Sequence, residues 1–305
     1  MSFPVPVQDL LECHWRLRDP QVVPLRGGMN SVAWEVRCGG GHWAVKAVPD
    51  GAEAERFRRG LRFALDVEES GAAVACGAPV AAADGRRVVS AAGHEVALLR
   101  WVPGREPDHR SDADLKAAGA TLGRVHRALG TEAVTPRQAR LHLLGLLPAG
   151  ADPAVLGLRP WIRPALRRVA DDLEAMRAET LTWGPVHVDP APEHFRLDDA
   201  AGACGLLDWG SADLGPRVFD LATVVMDVGA PQGEAAPLVD AYLAEGALSR
   251  AEAERALEVF LDFRYAVNML YFADRILRGD ATGLDDPAGN EERLEFARRR
   301  LQRPG

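Results

Sequence analysis

The hydrophobic pattern of this chain changes its period near residue 105, and this change limits the possible folds more than any other sequence feature. Before it, apolar and polar side chains alternate, as in residues 32–37, which is the two-residue period of a β-strand. After it, apolar side chains recur at helical spacing, as in residues 112–129. We therefore predict an α+β protein in two parts, with residues 1–104 built on a sheet and residues 105–305 mostly helical.

The first part is predicted to form a five-stranded antiparallel sheet with one helix beside it. Glycine-containing turns such as residues 38–41 separate the strand segments, and short turns of this kind join antiparallel neighbours. The predicted strands cover residues 22–25, 32–36, 42–48, 87–90 and 95–102. Helices are predicted at residues 7–17, 51–70, 112–129 and 164–182 and from Leu238 onward, with a loop at residues 148–164.

The formal net charge of −8 argues against nucleic acid as a partner, because proteins that bind a phosphate backbone usually present a basic face. The N-terminal residues contain no basic segment followed by a continuous apolar run, so no secretory signal is expected. No stretch approaches the roughly 20 apolar residues that cross a bilayer. We therefore expect a cytoplasmic protein with neither a nucleic-acid nor a membrane partner.

Lysine is rare in this chain, since Lys46 and Lys116 are its only lysines among 36 Lys and Arg residues. Lys46 lies within the apolar strand 43–48. A lysine in such a strand, where the chain otherwise prefers arginine, suggests that a compact ammonium is needed rather than a planar guanidinium. Lys46 is therefore a candidate functional residue.

Two aspartates, Asp189 and Asp208, each follow a short apolar segment, in the sequences His187-Val-Asp189 and Leu207-Asp208-Trp-Gly. Such a pair suits phosphoryl transfer, in which one carboxylate accepts a hydroxyl proton and the other holds magnesium on a nucleotide. The chain has no Gly-Lys-Ser/Thr phosphate loop, no Gly-x-Ser-x-Gly elbow and no His-Glu-x-x-His helix. Phosphoryl transfer therefore remains as the main hypothesis.

The order of these features resembles the protein-kinase-like fold, in its aminoglycoside phosphotransferase and choline-kinase-like branch. The resemblance rests on the Gly27-Gly28-Met-Asn30 hairpin, Lys46, the His-x-Asp loop, and the segment from Gly205 to Ala222, and it runs from about Val22 to Asp227. It implies a bilobal fold that binds ATP, or alternatively GTP, with Mg²⁺ between its lobes. It also implies transfer of the γ-phosphoryl group to a hydroxyl of a small molecule.

The resemblance also implies roles for individual residues. Asp189 would deprotonate the acceptor hydroxyl, and Lys46 would contact phosphates while pairing with a carboxylate of the helix at 51–70, for which Glu55 is chosen over Glu68. A hinge between the lobes, near Arg100 to Pro103, would offer backbone groups to adenine. The implied nucleotide contacts are Gly28, Asn30, Ser31, Lys46, Glu55, Arg100, Trp101 and Val102, and the implied metal ligands are Asp208, Glu193 and His194.

The catalytic loop departs from the pattern of the family. His194 stands where the family has a metal-binding asparagine, and imidazole is a poor ligand for a hard cation, so Glu193 is the alternative oxygen ligand. Pro190 and Pro192 stiffen the loop and remove two amide donors. A loop that has lost catalysis, in a protein that only binds nucleotide, is the competing interpretation.

The acceptor is expected to be an antibiotic or related natural product, with a metabolic acceptor such as choline, homoserine or a sugar as the alternative. Arg264, Asn268, Tyr271 and Arg275 share one face of a C-terminal helix. We interpret this face as a solvated stripe rather than an acceptor contact. His126 is interpreted as a packed core histidine.

Overall fold

A computed structural model of the chain describes residues 5–25, 31–147, 152–228, 235–282, 286 and 288–302. The N-terminal part contains a five-stranded antiparallel sheet, in the strand order β1-β2-β3-β5-β4. The strands are β1 (Gln21–Pro24), β2 (Val32–Cys38), β3 (Gly41–Pro49), β4 (Val89–Ala91) and β5 (His94–Arg100). The predicted sheet is confirmed.

Strand β3 occupies the middle of this sheet, between β2 and β5. Its register places Lys46 opposite Ala33 on one side and Ala97 on the other. The turn from β2 to β3 uses Gly39 and Gly40 with φ of 54° and 81°, a conformation that glycine adopts without steric cost. Lys46 is therefore held on a strand that is hydrogen-bonded on both edges.

Two helices pack on the sheet, α1 (Val7–Trp15) and α2 (Ala52–Glu69). Leu11 of α1 is fully buried in one apolar cluster, and Phe57 of α2 is buried in a second cluster that includes Ala97 of β5. Burial of a leucine or phenylalanine side chain contributes about 1.5–3 kcal/mol, so these contacts attach both helices to the sheet.

The rest of the chain is mostly helical, as predicted, and α7 packs on α9 through Phe219 and Phe263, whose rings lie 5.7 Å apart. None of the helices formed by the described residues is both long and apolar enough to cross a membrane. The helices are α3 (Asp112–Leu129), α4 (Pro136–Gly145), α5 (Pro153–Gly157), α6 (Ile162–Met176), α7 (Arg217–Asp227), α8 (Ala236–Ala244), α9 (Arg250–Arg278) and α10 (Ala288–Leu301).

Three of these helices, α4, α5 and α7, were not among the predicted helices. Helix α4 begins at a capping box, in which Thr135 and Gln138 bond each other's backbone N–H groups. Helix α5 lies inside the segment that was predicted to be a loop, and the Asp152 side chain caps it. Helices α4 and α5 both begin at a local capping signal, which the search for apolar periodicity did not use.

Two small sheets deliver the predicted catalytic segments. Strand β6 (Trp183–Val186) pairs with β9 (Asp213–Pro216), and β7 (Phe195–Asp198) pairs with β8 (Ala203–Leu206). His187 directly follows β6, and Asp208 lies two residues after β8. The chain passes from β5 to α3 without a helix or strand, and the division between residues 104 and 105 stays a prediction.

Candidate active site

An ion pair between Lys46 and Asp208 joins the N-terminal sheet to the helical part. Lys46 Nζ donates to Asp208 Oδ1 across 2.5 Å. Burial acts to raise the pKa of Asp208, but the charges of Lys46 and His194 outweigh it and hold this pKa well below its ordinary value. Asp208 is therefore a carboxylate at neutral pH, which is the form that ligates a cation.

Two glycines, Gly210 and Gly60, lie against the segment that carries Asp208. Asp208 itself has a left-handed backbone, with φ of 65°. A Cβ at Gly210 would lie 3.5 Å from Asp208 Oδ1, so the glycine leaves free space beside the ion pair. A Cβ at Gly60 would lie 1.7 Å from the carbonyl oxygen of Trp209, so α2 approaches this segment only because residue 60 has no side chain.

The structure gives Lys46 a different partner from the predicted Glu55. Glu55 lies on the first turn of α2 and is exposed, whereas the buried face of the helix carries Gly60 against the Asp208 segment. One position before that glycine, Arg59 donates to Asp213 Oδ2 across 2.7 Å. Helix α2 therefore presents a cation near the site, and the assignment of Glu55 is corrected to Asp208.

The other helix carboxylate, Glu68, serves the hinge rather than Lys46. It accepts hydrogen bonds from the backbone N–H groups of Cys76 and Ala78 and forms an ion pair with Arg100. The C-terminal end of α2 is thereby attached to the end of β5, from which the predicted adenine hinge starts.

The predicted hinge, Arg100 to Pro103, borders a cavity of about 430 Å³ that also contacts Cys204 and Gly205. Trp101 stacks on His42 with ring centroids 3.9 Å apart, and the Arg100 N–H donates to the carbonyl of Ala78. Ser31 lies directly before β2 and is partly buried. Gly28 and Asn30 lie outside the described residues, and the nucleotide contacts of the whole set stay predictions.

A buried aspartate on α7, Asp220, holds the loop before Asp189. Asp220 accepts hydrogen bonds from the backbone N–H groups of His187 at 2.6 Å and Val188 at 2.8 Å, and from His126 Nε2 at 3.0 Å. Val188 has φ of 74°, which is strained for a β-branched residue and costs about 1–3 kcal/mol. The Asp220 carboxylate therefore fixes a strained turn that delivers Asp189.

His126 is the packed core histidine that the sequence predicts. Its ring is fully buried, and its Nδ1 lies 2.8 Å from the Tyr242 hydroxyl. Burial lowers the pKa of His126 even though Asp220 acts in the opposite direction. His126 therefore stays neutral and donates its Nε2–H to Asp220, which in turn holds the loop before Asp189.

His194 lies between the two aspartates. Its Nδ1 is 2.7 Å from the carbonyl oxygen of Asp189, and a carbonyl only accepts, so this nitrogen carries the proton. Its Nε2 lies 3.8 Å from Asp208 Oδ2. Because one ring contacts both segments, Asp189 and Asp208 converge on a single site.

The donor set fits a divalent cation that takes most of its ligands from water and phosphates. Asp208 Oδ2 is a carboxylate oxygen not bonded by Lys46, as Mg²⁺ prefers. Within the described residues, no group of three or more His, Cys, Asp or Glu side chains is arranged as a metal cage. His194 Nε2 fits a hard cation poorly, so the metal roles of Glu193 and His194 stay predictions.

Asp189 bonds to Arg264, which belongs to the helix face that was interpreted as a solvated stripe. Arg264 Nη2 on α9 donates to Asp189 Oδ1 across 3.2 Å, and Arg264 Nη1 donates to Asn268 Oδ1 across 2.6 Å. Arg264 is 9% exposed and Arg275 2%. The interpretation of this helix face as a solvated stripe is therefore wrong, because the face packs against the catalytic loop and the C-terminal helices.

A second acidic group, Asp227 at the C-terminal end of α7, lies close to Asp189. Burial raises the pKa of Asp227 to about 7, the charge of Arg264 opposes this, and the charges of Asp189 and Glu193 add to it. The carboxylates of Asp189, Glu193 and Asp227 thus share one region, with Arg264 as a cation among them. The environment is one that disfavours additional negative charge.

The contacts of Asp220 and Arg264 with the loop before Pro190 were not predicted, although each residue stands in a recognisable sequence pattern. Asp220 stands in the Asp-Leu-Ala segment that carried part of the family resemblance. Arg264 and Asn268 are four residues apart, which places them together on a helix. Neither pattern reveals the partner, because both partners lie in the loop before Pro190, far away in sequence.

Comparison with known proteins gives a consistent result. Residues 21–258 match the family model described as the phosphotransferase enzyme family. No curated protein matches the sequence.

Several solved structures share the fold at low sequence identity. A microcompartment-associated aminopropanol kinase is 16% identical, with a TM-score of 0.71 over 97% of this chain and 94% of its own. Choline kinase LicA from Streptococcus pneumoniae is 14% identical, with a TM-score of 0.64 over 97% of each chain. A spectinomycin phosphotransferase in complex with ADP and spectinomycin is 13% identical, with a TM-score of 0.62 over 99% and 96%. At these identities the likeness shows the kinase-like fold alone.

Proposed function

Because the chain belongs to the phosphotransferase enzyme family and is a small-molecule phosphotransferase, we propose that ATP is its donor and that it requires Mg²⁺. The observation that carries this proposal is the convergence of Asp189 and Asp208 on His194. The two carboxylates lie on separate segments, and His194 contacts the Asp189 carbonyl at 2.7 Å and lies 3.8 Å from Asp208 Oδ2. GTP is the alternative donor.

In the proposed reaction, Asp189 orients the acceptor hydroxyl and accepts its proton as the oxygen attacks the γ-phosphorus. The bond between this phosphorus and the β,γ-bridging oxygen breaks, and ADP leaves. Such general base catalysis contributes about 10²- to 10⁴-fold in rate. Asp208 would hold the cation, which when bound neutralises charge on the phosphates. The Lys46 ammonium would leave Asp208 and pair with phosphate oxygens instead. A single charge on a flexible side chain can change ion-pair partners in this way.

We propose that the acceptor is an antibiotic or related natural product that carries an amino group as well as a hydroxyl. The charges of Asp189 and Glu193 both act on Asp227. We place these three carboxylates on the acceptor side of the site, where they would favour a cationic substrate over an anionic one. A small amino alcohol of metabolism, such as choline, is the second candidate, because the same carboxylates would suit it. The two candidates differ in size rather than in charge.

The test is a phosphotransfer screen of the purified protein with ATP or GTP and Mg²⁺. Acceptors are aminoglycosides and other amine-bearing antibiotics, choline and small amino alcohols, and uncharged sugars as the control class. Turnover is expected with an amine-bearing acceptor and is expected to fall at least about 100-fold in Asp189→Asn. If ATP binds equally well with and without Mg²⁺ and no acceptor is phosphorylated, the protein only binds nucleotide.

A further inference from the structure

Arg264 is bound at both of its terminal nitrogens, one on its own helix and one on the catalytic loop. It lies in the middle of α9 and is 9% exposed. Nη1 donates to Asn268 Oδ1 one helical turn later, and Asn268 Nδ2 lies 3.7 Å from Met226 Sδ on α7. The guanidinium is therefore fixed by two helices before it reaches Asp189.

Another arginine of the same helix shows what a purely structural arginine looks like here. Arg275 is 2% exposed, and its guanidinium donates to Asn290 Oδ1, Asp280 Oδ2 and the Thr282 carbonyl. These partners lie in α10 or in the segment between α9 and α10. Arg275 thus connects neighbouring parts of one structural unit.

Arg264 differs from Arg275 in both the extent and the direction of its bonds. Its Nε is buried and has no hydrogen-bond partner among the described residues. Its bond to Asp189 crosses from α9 to a loop that comes 75 positions earlier in the chain. A buried donor without a partner is unfavourable, so this guanidinium is not placed to satisfy all its donors. It is placed to reach Asp189.

The contact leaves one oxygen of Asp189 for chemistry. Arg264 Nη2 takes Oδ1, while 43% of the Asp189 side-chain surface stays exposed and the Arg264 side chain is 10% exposed. An acceptor hydroxyl can therefore approach the remaining oxygen from the open side. A carboxylate that is free to rotate would spend much of its time in unproductive orientations, and misplacement by about 1 Å can cost on the order of 100-fold in rate.

We propose that Arg264, held by Asn268, is a positioning residue that fixes the Asp189 carboxylate so that Oδ2 alone faces the acceptor hydroxyl. This inference rests on the proposed phosphotransfer. It assigns Arg264 no contact with the nucleotide or the acceptor, so its effect passes entirely through Asp189. That restriction separates this role from direct acceptor binding and from general support of α9.

The experiment measures kcat and KM for both substrates in wild type, Arg264→Gln, Asp189→Asn and the double variant Arg264→Gln/Asp189→Asn. Arg264→Gln is expected to lower kcat about 10- to 100-fold, with either KM changed less than about threefold. In the Asp189→Asn background the same change is expected to cost less than about twofold, because the group that Arg264 orients is already gone.

Two further variants guard against a folding artefact. Arg264→Lys keeps the charge but lacks the planar fork that reaches both Asn268 and Asp189, so it is expected to recover part of kcat. Arg255→Gln alters an exposed arginine on the same helix and is expected to leave kcat unchanged. Thermal unfolding and circular dichroism of each variant measure whether α9 is intact.

Each outcome decides one statement. An equal loss of kcat in the wild-type and Asp189→Asn backgrounds, or a loss confined to the acceptor KM, would overturn the positioning role. If the wild type turns over and Arg264→Gln has the same kcat, the positioning role is overturned and the proposed function stands. A wild type without turnover on any acceptor would overturn the proposed function and this role together.

Discussion

The two carboxylates of the site are neutralised by different cations that come from different parts of the molecule. Asp208 is paired with Lys46 on the N-terminal sheet, and Asp189 is paired with Arg264 on a C-terminal helix. Lys46 carries one ammonium on a flexible chain, whereas the Arg264 guanidinium is also fixed by Asn268. The difference suggests that one pair opens when substrates bind and the other persists.

This contrast follows the division of the fold. The pair of Lys46 and Asp208 joins the sheet to the helical part. Under the proposed function, a nucleotide bound between these parts would separate the pair. The pair of Asp189 and Arg264 lies within the helical part, where Asp220 also fixes the loop backbone. Under the proposed function, Lys46 would exchange partners between the sheet and the helical part, and Arg264 would stay bound to Asp189 within the helical part.

The largest expected effect separates the two carboxylates. Asp208→Asn should abolish the Mg²⁺-dependent part of ATP binding and with it turnover, because its carboxylate is the proposed cation ligand. Asp189→Asn should lower kcat at least about 100-fold while ATP still binds with its Mg²⁺ dependence intact. Isothermal titration with a non-hydrolysable ATP analogue, with and without Mg²⁺, measures this. Equal loss of binding in both variants would remove the contrast.

The next effect sharpens the claim that the Asp189 side is preassembled. Asp220→Asn replaces a buried acceptor of three N–H groups with an amide, and we expect a loss of about 3 kcal/mol in unfolding free energy. Relaxation of the strained Val188 turn should also lower kcat. Urea unfolding measures the first effect and steady-state kinetics the second.

The matched control for Asp220→Asn is Asp240→Asn, at an exposed carboxylate paired with Arg250. An exposed ion pair contributes little, so this control should change the unfolding free energy by less than about 0.5 kcal/mol. If the two variants had similar stability, the catalytic loop would not depend on a buried clamp.

Most of the fold could be predicted from the sequence, because the strands β2 and β3 and the helix α3 are long and strongly periodic. The positions of Asp189 and Asp208 followed from short motifs. What could not be predicted was which side chain meets which. Lys46 was assigned to Glu55, and the structure pairs it with Asp208, because the approach of α2 is set by Gly60 and not by its carboxylates.

The burial of Arg264 was likewise beyond the sequence. Its helix spacing identifies a polar face, and polar faces are usually solvated, so the ordinary rule gave the wrong answer. The guanidinium is buried because the partner carboxylate lies on a loop from a distant segment of chain. Long-range polar pairs of this kind leave no periodic trace in the sequence.

A pH-dependent effect tests whether Asp227, which is buried and close to other carboxylates, ionises only at a cost in stability. The pKa of Asp227 is about 7 in the fold, above the ordinary value of 3.8, so the folded state retains this proton to higher pH than the unfolded chain. The stabilisation is therefore complete below about pH 4 and is lost as pH rises to about 7. Relative to Asp227→Asn, the wild type should lose at most about 1.4 kcal/mol per pH unit across that window.

Urea unfolding of both proteins between pH 4 and 8 measures this difference, and Asp240→Asn again supplies the exposed control. The control should run parallel to the wild type over the whole range, apart from a small constant offset. Parallel curves for Asp227→Asn and wild type would mean that Asp227 ionises without penalty, and the acceptor side would then lack the charge crowding on which the amine-bearing acceptor was proposed.

The smallest effect concerns His194, whose ring lies between the Asp189 backbone carbonyl and the Asp208 carboxylate. Its Nδ1–H is held by the Asp189 carbonyl, so its Nε2 is the nitrogen that faces Asp208 Oδ2 at 3.8 Å. Imidazole nitrogen suits Mn²⁺ better than Mg²⁺ under the usual affinity order, whereas an asparagine oxygen suits Mg²⁺. His194→Asn should therefore shift cation preference towards Mg²⁺ by about three- to tenfold. Titration calorimetry with the Mn²⁺ and Mg²⁺ complexes of a non-hydrolysable ATP analogue measures the ratio of their dissociation constants. A ratio equal to that of the wild type would show that His194 acts only as a hydrogen-bonded spacer between Asp189 and Asp208, and that the exchangeable side of the site uses Asp208 without help from the ring.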